Sequence, residues 1–435
     1  MAAPLDRAAG EGPSLPPAAT PPGGAHGGPP AEVDVAVVGG GAAGLMAAIQ
    51  AARRGRATLL LEKNQRLGLK ILISGGGRCN LTTTRSGSDL EAQYGAVRGR
   101  FLRHALRAFP PVALRSFIEA AGVPLQEEDL EKLFPVSQRA RDVVDALRRE
   151  LDAAGAGLQL RAAVQAIAHD GARFVLHTVA GTVRAASVVL ATGGLSYRKT
   201  GATGDGYAWC RHFGHTITST WPALAPLAVA EPWLQALAGI VVHGPTLASY
   251  DADGRLGTTR QRPILFTHQG LSGPGPMDLA GDVEQAAGRG GVRFDFAPEQ
   301  TPDELDAAWL ATARLHGSRR VDSVLPPQLP ERLRQALVAH AGATGTLANW
   351  SRPARRALLA AVKDLRVPVA KSLGYDHAEV TRGGVALDEV DPRTMQSRCR
   401  PGLFVCGELL DVDGPIGGFN FQAAFATGRL AGLHA

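Results

Sequence analysis

The chain has 435 residues, 46 of them Lys or Arg and 40 Asp or Glu, which gives a formal net charge of +6. This length exceeds what one ordinary hydrophobic core supports, so we expect at least two domains, and the positive charge favours acidic partners such as nucleic acid. The sequence contains no stretch of about 18 consecutive apolar residues and no run of about five basic residues, which argues against a membrane-spanning helix and a basic tail.

The N-terminal elements predict a leader followed by a strand–helix–strand unit. Residues 1–31 are rich in Ala, Pro and Gly, lack the apolar core of a secretion signal, and predict a disordered leader. Residues 33–38 predict a buried parallel strand, residues 45–54 a helix and residues 57–61 a second strand.

A glycine motif joins the first strand to the helix. Gly39 permits a tight turn, Gly41 lets a diphosphate approach the backbone, and Gly44 lets the helix pack closely on the strand. Unpaired N–H groups at the helix N-terminus attract the diphosphate, and Glu62 after the second strand can accept hydrogen bonds from ribose hydroxyls. This context favours a dinucleotide site over a plain glycine-rich turn.

Later elements predict a first domain that is interrupted by an insert. Residues 101–154 have a helical pattern with breaks at Pro110-Pro111 and Phe134-Pro135, and short strand-like pieces between residues 158 and 185 lead to a buried strand at 188–192. From about residue 222 the chain becomes rich in Gly, Pro and β-branched residues. We expect a dinucleotide-binding domain at 32–221 and 375–435, and an insert domain at 222–374 that is β-rich at 222–300 and helical at 301–370.

Two distant segments favour FAD over NAD as the dinucleotide. A buried strand ends in Thr192, and a second buried strand ends in Gly407 and Glu408, whose carboxylate can meet a ribityl hydroxyl. A ligand as long as FAD is needed to use Gly39, Thr192 and Glu408 together. Taken singly, each segment is explained equally well as a buried strand that closes on a turn.

A third segment combines positive charge with three consecutive glycines, Gly75 to Gly77. Its backbone can lie against a flat ring, while Lys70 and Arg78 can stabilise negative charge on the pyrimidine end of a reduced flavin. Cys79 is a candidate proton donor, although a small buried thiol is the more common role of a single cysteine.

A fourth segment places Gly417 and Gly418 before a predicted helix. A glycine turn at a helix N-terminus can present backbone N–H groups to the O2 edge of a flavin, and Asn420 can cap the helix. A plain capped helix is the alternative explanation.

The sequence favours neither a metal centre nor a hydrolase. His212 and His215 form the one close pair among 12 histidines. Cys210 is near them in sequence, but no directly adjacent Cys, Asp or Glu completes a ligand set, so we expect no metal. Four scattered cysteines without a CxxC pair fit a reducing, cytoplasmic compartment. The absence of a G-x-S-x-G turn argues against a hydrolase.

Three segments together resemble the BaiN/RdsA family of NAD(P)/FAD-dependent oxidoreductases: Val37–Gly44, Gly68–Asn80 and Gly407–Gln422. The resemblance covers residues 33–435. It implies an α/β fold with a Rossmann-like, glutathione-reductase-like FAD-binding domain and an inserted β-barrel-like plus small helical domain. Phe419 and Ala423 depart from the Tyr and Trp that are frequent at these positions in the family, and the lost bulk is expected to widen the pocket beside the flavin.

The motifs and the resemblance together define the expected site residues. Catalytic roles are expected for Lys70, Arg78 and Cys79. The residues expected to bind FAD are Gly39, Gly41, Ala42, Ala43, Gly44, Glu62, Lys63, Lys70, Gly75, Gly76, Val164, Ala191, Thr192, Gly193, Gly407, Glu408, Gly417, Gly418 and Asn420.

The resemblance also implies a chemistry, because family members have been assigned to the reduction of C=C bonds in a ribosomal RNA uridine or in a steroid enone. No second glycine motif with a following acid occurs, so we expect NAD(P)H to be a transient small-molecule donor. Large-subunit ribosomal RNA is the favoured substrate, with dihydrouridine as the product. The arginines expected to contact its phosphates, here called the arginine group, are Arg319, Arg320, Arg352, Arg355 and Arg356.

Two alternatives stay open at the level of sequence. The first is an FAD-dependent oxidase, dehydrogenase or reductase that acts on a small enone, ketone or amine. The second is a non-catalytic protein that holds a flavin and binds RNA.

Overall fold

The computed structural model describes residues 31–435 of the chain. The predicted leader at residues 1–31 therefore lies outside the described residues, apart from Ala31. Ala31 begins the first strand and pairs with Val183, so the predicted boundary is one residue too late at this position.

The predicted strand–helix–strand unit is confirmed as β1 (Ala31–Val38), α1 (Ala42–Arg53) and β2 (Thr58–Leu61). The two strands are parallel, with Val38 beside Leu61. The helix begins three residues earlier than predicted, because Gly41 has an extended backbone and serves as its N-cap.

A mixed region follows this unit. The elements between β2 and the insert are α2 (Leu69–Gly77), β3 (Thr82–Thr83), α3 (Gly87–Ala92), α4 (Gly95–Ala108), α5 (Pro111–Ala120), β4 (Leu125–Glu128), β5 (Lys132–Pro135), α6 (Ala140–Ala153), β6 (Gly157–Gln159), β7 (Val164–His169), β8 (Phe174–Thr178), β9 (Gly181–Leu190) and α7 (Asp205–His212). The helical prediction for 101–154 is wrong at β4 and β5, which pair antiparallel. Gly122 ends α5 with φ +88°, and Pro124 prevents the helix from resuming.

The middle of the chain is β-rich first and helical later. Its elements are β10 (Trp221–Ala223), β11 (Leu227–Ala228), α8 (Pro232–Gln235), β12 (Val241–Val242), β13 (Thr246–Tyr250), β14 (Leu256–Gln261), β15 (Ile264–Thr267), β16 (Gly270–Ser272), α9 (Pro274–Asp278), α10 (Ala280–Gln285), β17 (Gly290–Asp295), α11 (Pro302–Leu315), α12 (Glu331–His340), α13 (Arg352–Lys363), β18 (Leu365–Val369), β19 (Lys371–Ser372) and β20 (Val380–Arg382). The last two elements of the chain are β21 (Leu403–Val405) and α14 (Phe419–His434).

Two hydrophobic cores accompany this division. One core joins the first part of the chain to β21 and α14, and the other contains buried residues between Ala225 and Ala378. The second core includes residues from two sheets, a five-stranded one in the order β12-β15-β16-β11-β19 and a four-stranded one in the order β14-β13-β17-β18. Strand β10 pairs with β20 where the chain passes between the two parts. The domain boundaries at 222 and 374 stay a prediction.

The large sheet determines where a ligand can bind. Its order is β6-β2-β1-β9-β8-β7, and β21 pairs in parallel with the end of β9. The carboxyl ends of β1, β9 and β21 therefore meet at one edge, which is the usual ligand edge of an open α/β sheet. No helix in residues 31–435 is long and apolar enough to cross a membrane.

Candidate cofactor site

A cavity of about 300 Å³ lies at the edge where β1, β9 and β21 end. Its wall is formed by the turns that follow these strands, by the start of α1, by α2 and by the loop before α14. The predicted cofactor residues that line it are Gly39, Gly41, Ala42, Ala43, Glu62, Lys63, Lys70, Gly75, Val164, Ala191, Thr192, Gly193, Gly407, Glu408, Gly417, Gly418 and Asn420.

Two predicted cofactor residues, Gly44 and Gly76, lie outside this lining. A Cβ on Gly44 would sit 1.8 Å from the carbonyl oxygen of Gly39, so Gly44 serves the close packing of α1 on the turn. Gly76 is exposed, and a Cβ there would meet no atom within 4 Å. Its contribution is backbone conformation, with φ +69°.

The glycine turn presents an uncapped helix end to the cavity. No side chain caps α1, and a Cβ on Gly41 would meet no atom within 4 Å. Gly39 has φ +106°, and a Cβ there would lie 2.5 Å from the carbonyl oxygen of Ala191. The first-turn N–H groups and the helix dipole together suit a diphosphate at this position.

Glu62 is held beside this turn. Its carboxylate accepts hydrogen bonds from the backbone N–H of Gly40 at 2.6 Å and from the backbone N–H of Asn64 at 2.8 Å. The acid after β2 therefore has a defined position next to the uncapped helix end, as a ribose-binding carboxylate requires.

A second polar network joins three distant segments of the cavity wall. The Lys70 ammonium forms an ion pair with Glu408 and donates to the Ser196 hydroxyl oxygen at 2.6 Å. Glu408 also accepts from the backbone N–H of Thr381 at 2.9 Å. Lys70 is thus a paired cation, and its expected role in stabilising a reduced flavin stays a prediction.

Arg78 lines the cavity, and its guanidinium group contacts two other side chains of the protein. Its guanidinium lies 4.3 Å from the ring centre of Phe134 and forms an ion pair with Glu128 at 2.9 Å. The glycines before it do not form a flat extended ribbon, because α2 is broken by Gly75 and Gly76 at φ +55° and +69°.

Cys79 does not line the cavity, which corrects its expected place among the reacting groups. The side chain is fully buried, and burial raises the pKa of the thiol to about 12. A thiol that neither reaches the cavity nor ionises near neutral pH is poorly suited to donate a proton there.

The loop before α14 differs from prediction in one detail. Gly418, at φ +84°, is the N-cap of α14, whereas Asn420 lies inside the first turn. The Asn420 side chain accepts from the N–H of Gly414 at 2.9 Å and donates to the carbonyl of the same residue at 2.9 Å. Asn420 therefore shapes the loop and faces the cavity without capping the helix.

Two buried polar atoms of the cavity wall also fit the binding of FAD. Thr192 Oγ1 and Asn80 Oδ1 are buried and have no hydrogen-bond partner among residues 31–435. Both side chains line the cavity. Leaving such an atom unpaired costs about 1–3 kcal/mol, so a polar ligand is expected to satisfy them.

Sequence motifs missed part of the wall, notably Lys132, Tyr197 and Glu379. Lys132 belongs to a strand inside the region predicted to be helical, and Tyr197 lies in a turn. Glu379 directly precedes β20, and no spacing rule connects it with the glycine turn.

Outside the cavity, His215 lies beside an acid and a thiol that come from a distant part of the sequence. Its Nδ1 lies 3.2 Å from Glu389 Oε2 and 3.8 Å from Cys399 Sγ, and its Nε2 lies 2.7 Å from Ser397 Oγ. An acid and a thiol thus stand beside this histidine in space, although neither is near it in sequence. Their hydrogen bonds tie the 389–399 segment to the turn after α7.

Comparisons with known proteins agree along almost the whole chain. Residues 33–434 match the family described as HI0933-like protein Rossmann domain. The chain is 32% identical to the ribosomal RNA dihydrouridine synthase of Escherichia coli K12, over 88% of this chain and 93% of that protein. It is 31% identical to the 3-dehydro-bile acid delta(4,6)-reductase of Clostridium scindens, over 89% and 95%.

A solved structure shows the same general fold. The 3-ketosteroid delta1-dehydrogenase of Sterolibacterium denitrificans aligns over 93% of this chain and 99% of its own, with a TM-score of 0.51 and 16% identity.

Proposed function

This chain belongs to the HI0933-like family and is an FAD-dependent oxidoreductase, and from that premise we propose that it uses NAD(P)H to reduce a C=C bond conjugated to a carbonyl group. The favoured substrate is a uridine base of large-subunit ribosomal RNA, which would become dihydrouridine. The observation that carries the proposal is one cavity wall that combines the uncapped N-terminus of α1, the fixed Glu62 carboxylate and the Lys70–Glu408 pair.

The protein groups have separable tasks in this proposal. When bound and reduced by NAD(P)H, the flavin would supply the hydride for the double bond. The first turn of α1 would hold the diphosphate, Glu62 would accept hydrogen bonds from the ribose, and Thr192 with Glu408 would bind the sugar-alcohol chain. These contacts orient the cofactor without any protein side chain needing to react.

The reductant and the cellular location are also part of the proposal. NAD(P)H would dock transiently, since the sequence contains one glycine motif followed by an acid and no second one. A cytoplasmic location accords with the cysteines, all four of which are free and three of which are buried.

RNA binding would use only part of the arginine group. Arg355 forms an ion pair with Asp306 at 2.7 Å, and its side chain is only 13% exposed. Arg319, Arg352 and Arg356 are exposed and make no ion pair among the residues that the structure describes. These three side chains are the best placed to contact phosphates. The loss of each contact would weaken RNA binding and would make that binding less dependent on salt concentration.

The test uses purified, FAD-loaded protein under anaerobic conditions. We expect NADPH or NADH to bleach the flavin spectrum, and an unmodified large-subunit rRNA transcript to restore it and to gain dihydrouridine, measured by mass spectrometry. The variant with Arg319, Arg352 and Arg356 all changed to Glu should lose RNA turnover, while flavin reduction by NAD(P)H persists.

Other outcomes would replace this proposal. Reoxidation by a steroid 4-en-3-one but not by RNA identifies a small-molecule reductase, as the name of the Clostridium scindens relative favours. Rapid formation of peroxide in air identifies an oxidase. A flavin that neither nicotinamide reduces identifies a protein that holds flavin without turnover.

A further inference from the structure

Four acidic side chains line the cavity, and one of them differs from the rest. They are Glu62, Asp205, Glu379 and Glu408. Three are held by backbone N–H groups or by lysines. Within residues 31–435, the Glu379 carboxylate accepts no hydrogen bond and lies in no ion pair. It is therefore the acid whose protonation can change without breaking a contact of the wall.

The backbone of Glu379 is nevertheless firmly held. Its N–H donates to the carbonyl of Leu224 at 3.1 Å, and its carbonyl oxygen lies 3.3 Å from Ser196 Oγ. The next residues form β20, which pairs with β10 between the two parts of the molecule. A free carboxylate on an anchored backbone is the arrangement expected of a group that must meet a reacting atom at a defined place.

The surroundings of Glu379 favour its protonated form. Burial raises the pKa of the carboxyl group, the nearby cations Lys70 and Lys132 oppose that rise, and Asp278 adds to it. Burial lowers the pKa of Lys132, which lines the same cavity. A carboxylic acid that keeps its proton closer to neutral pH can serve as a general acid.

We propose that Glu379 donates the proton that completes reduction of the substrate double bond, an inference that rests on the proposed function. Hydride forms a C–H bond at one carbon of the C=C pair, and the π electrons move towards the other carbon and its conjugated carbonyl. The Glu379 O–H bond then breaks as the second C–H bond forms. The double bond is reduced, the reduced flavin is oxidised, and the carboxylate recovers a proton from water.

The first test needs no turnover. Infrared spectra of the FAD-loaded protein should contain a protonated carboxyl band that shifts in D2O and titrates away at a higher pH than the carboxyl band of an exposed glutamate. The Glu379→Gln variant should lack this band, while Tyr197→Phe should retain it. An identical band in wild type and Glu379→Gln would overturn the proposal.

The second test separates the two halves of the reaction. In Glu379→Gln we expect reduction by NAD(P)H at the wild-type rate and reoxidation by the C=C substrate slowed about 10²–10⁴-fold. Glu379→Asp should recover part of the loss. Glu299→Gln, which makes the same change at an exposed carboxyl group outside the cavity, should stay within a few-fold of wild type. Normal reoxidation in Glu379→Gln would assign proton donation elsewhere.

The two tests also distinguish this inference from the proposed function. If wild-type protein is not reduced by NAD(P)H, or no C=C substrate reoxidises it, the proposed function fails. The infrared band then still decides whether Glu379 holds a proton in the cavity, and its absence in wild type overturns the inference.

Discussion

The carboxylate of Glu62 accepts a hydrogen bond from the backbone N–H of Gly40 at 2.6 Å, so the acid after β2 is fixed against the glycine turn. This bond leaves the carboxylate beside the start of α1, where a ribose would follow the diphosphate. The contact links the two parts of the dinucleotide motif, which are 22 residues apart in sequence.

Glu62→Gln should weaken FAD binding more than it weakens folding. The amide retains most of the shape of the carboxylate but loses the charge-assisted hydrogen bonds expected from the ribose hydroxyls, each worth about 1.5–3 kcal/mol. We expect the dissociation constant of FAD, measured by quenching of flavin fluorescence, to rise about 10- to 100-fold. Unchanged affinity would remove Glu62 from the ribose site.

Two glycines of the same motif should respond differently to alanine. Gly41 has φ −84°, and a Cβ there meets no atom within 4 Å, so Gly41→Ala should fold normally yet obstruct the diphosphate. Gly44→Ala places a Cβ 1.8 Å from Gly39 O and should destabilise the protein without FAD by about 1–3 kcal/mol or prevent folding. Thermal melts of the FAD-free proteins and FAD titrations check both effects; similar behaviour of the two variants would contradict this division.

Cys79→Ala should leave turnover within about twofold of wild type, because the thiol lies off the cavity and its pKa is raised to about 12 by burial. Its cost should appear as about 1–2 kcal/mol of lost stability. Cys210→Ala, which also removes a fully buried thiol, is the matched control. If Cys79→Ala alone slowed substrate reoxidation, the thiol would return to the mechanism.

Arg382 should matter for stability where the two parts of the molecule meet. Its guanidinium is 14% exposed and pairs with Asp413 at 3.0 Å and with Asp282 at 2.6 Å. Arg382→Met leaves both acids without this partner and should cost about 3–5 kcal/mol in urea unfolding. The exposed pair of Arg255 with Asp253 offers the control, since Arg255→Met should cost no more than about 1 kcal/mol. Equal losses of unfolding free energy in the two variants would show that the Arg382 ion pairs do not stabilise the contact between the two parts.

His215 should make folding sensitive to mild acid. Burial lowers the pKa of this histidine, and the opposing effect of Glu389 is smaller. The unfolded chain therefore binds the proton more readily, and stability should decline as the pH falls below the ordinary histidine value of about 6.5. In His215→Gln the melting temperature should depend less on pH between about 8 and 5.5. The exposed His243, changed to Gln, should leave the wild-type slope intact.

Much of the cavity wall could be predicted because the sequence patterns that indicate it are local. Gly39, Gly41 and Glu62 each follow a strand that the apolar pattern already marks, and a strand followed by a glycine turn and a helix leaves few arrangements open. The same locality explains the one-residue error at Ala31 and the early start of α1, since element ends depend on caps and pairing more than on pattern.

Local sequence patterns were therefore enough to predict the glycine turn, the acid after β2 and the segments expected to meet a long cofactor. Three features could not be predicted from these patterns: Cys79 is fully buried away from the cavity, Lys70 is paired with Glu408, and, within residues 31–435, Glu379 is the one acid of the cavity wall whose carboxylate accepts no hydrogen bond and forms no ion pair. The cause is the separation of the contacting segments along the chain. Burial and charge depend on which remote segments pack together, and no spacing within a motif records that contact.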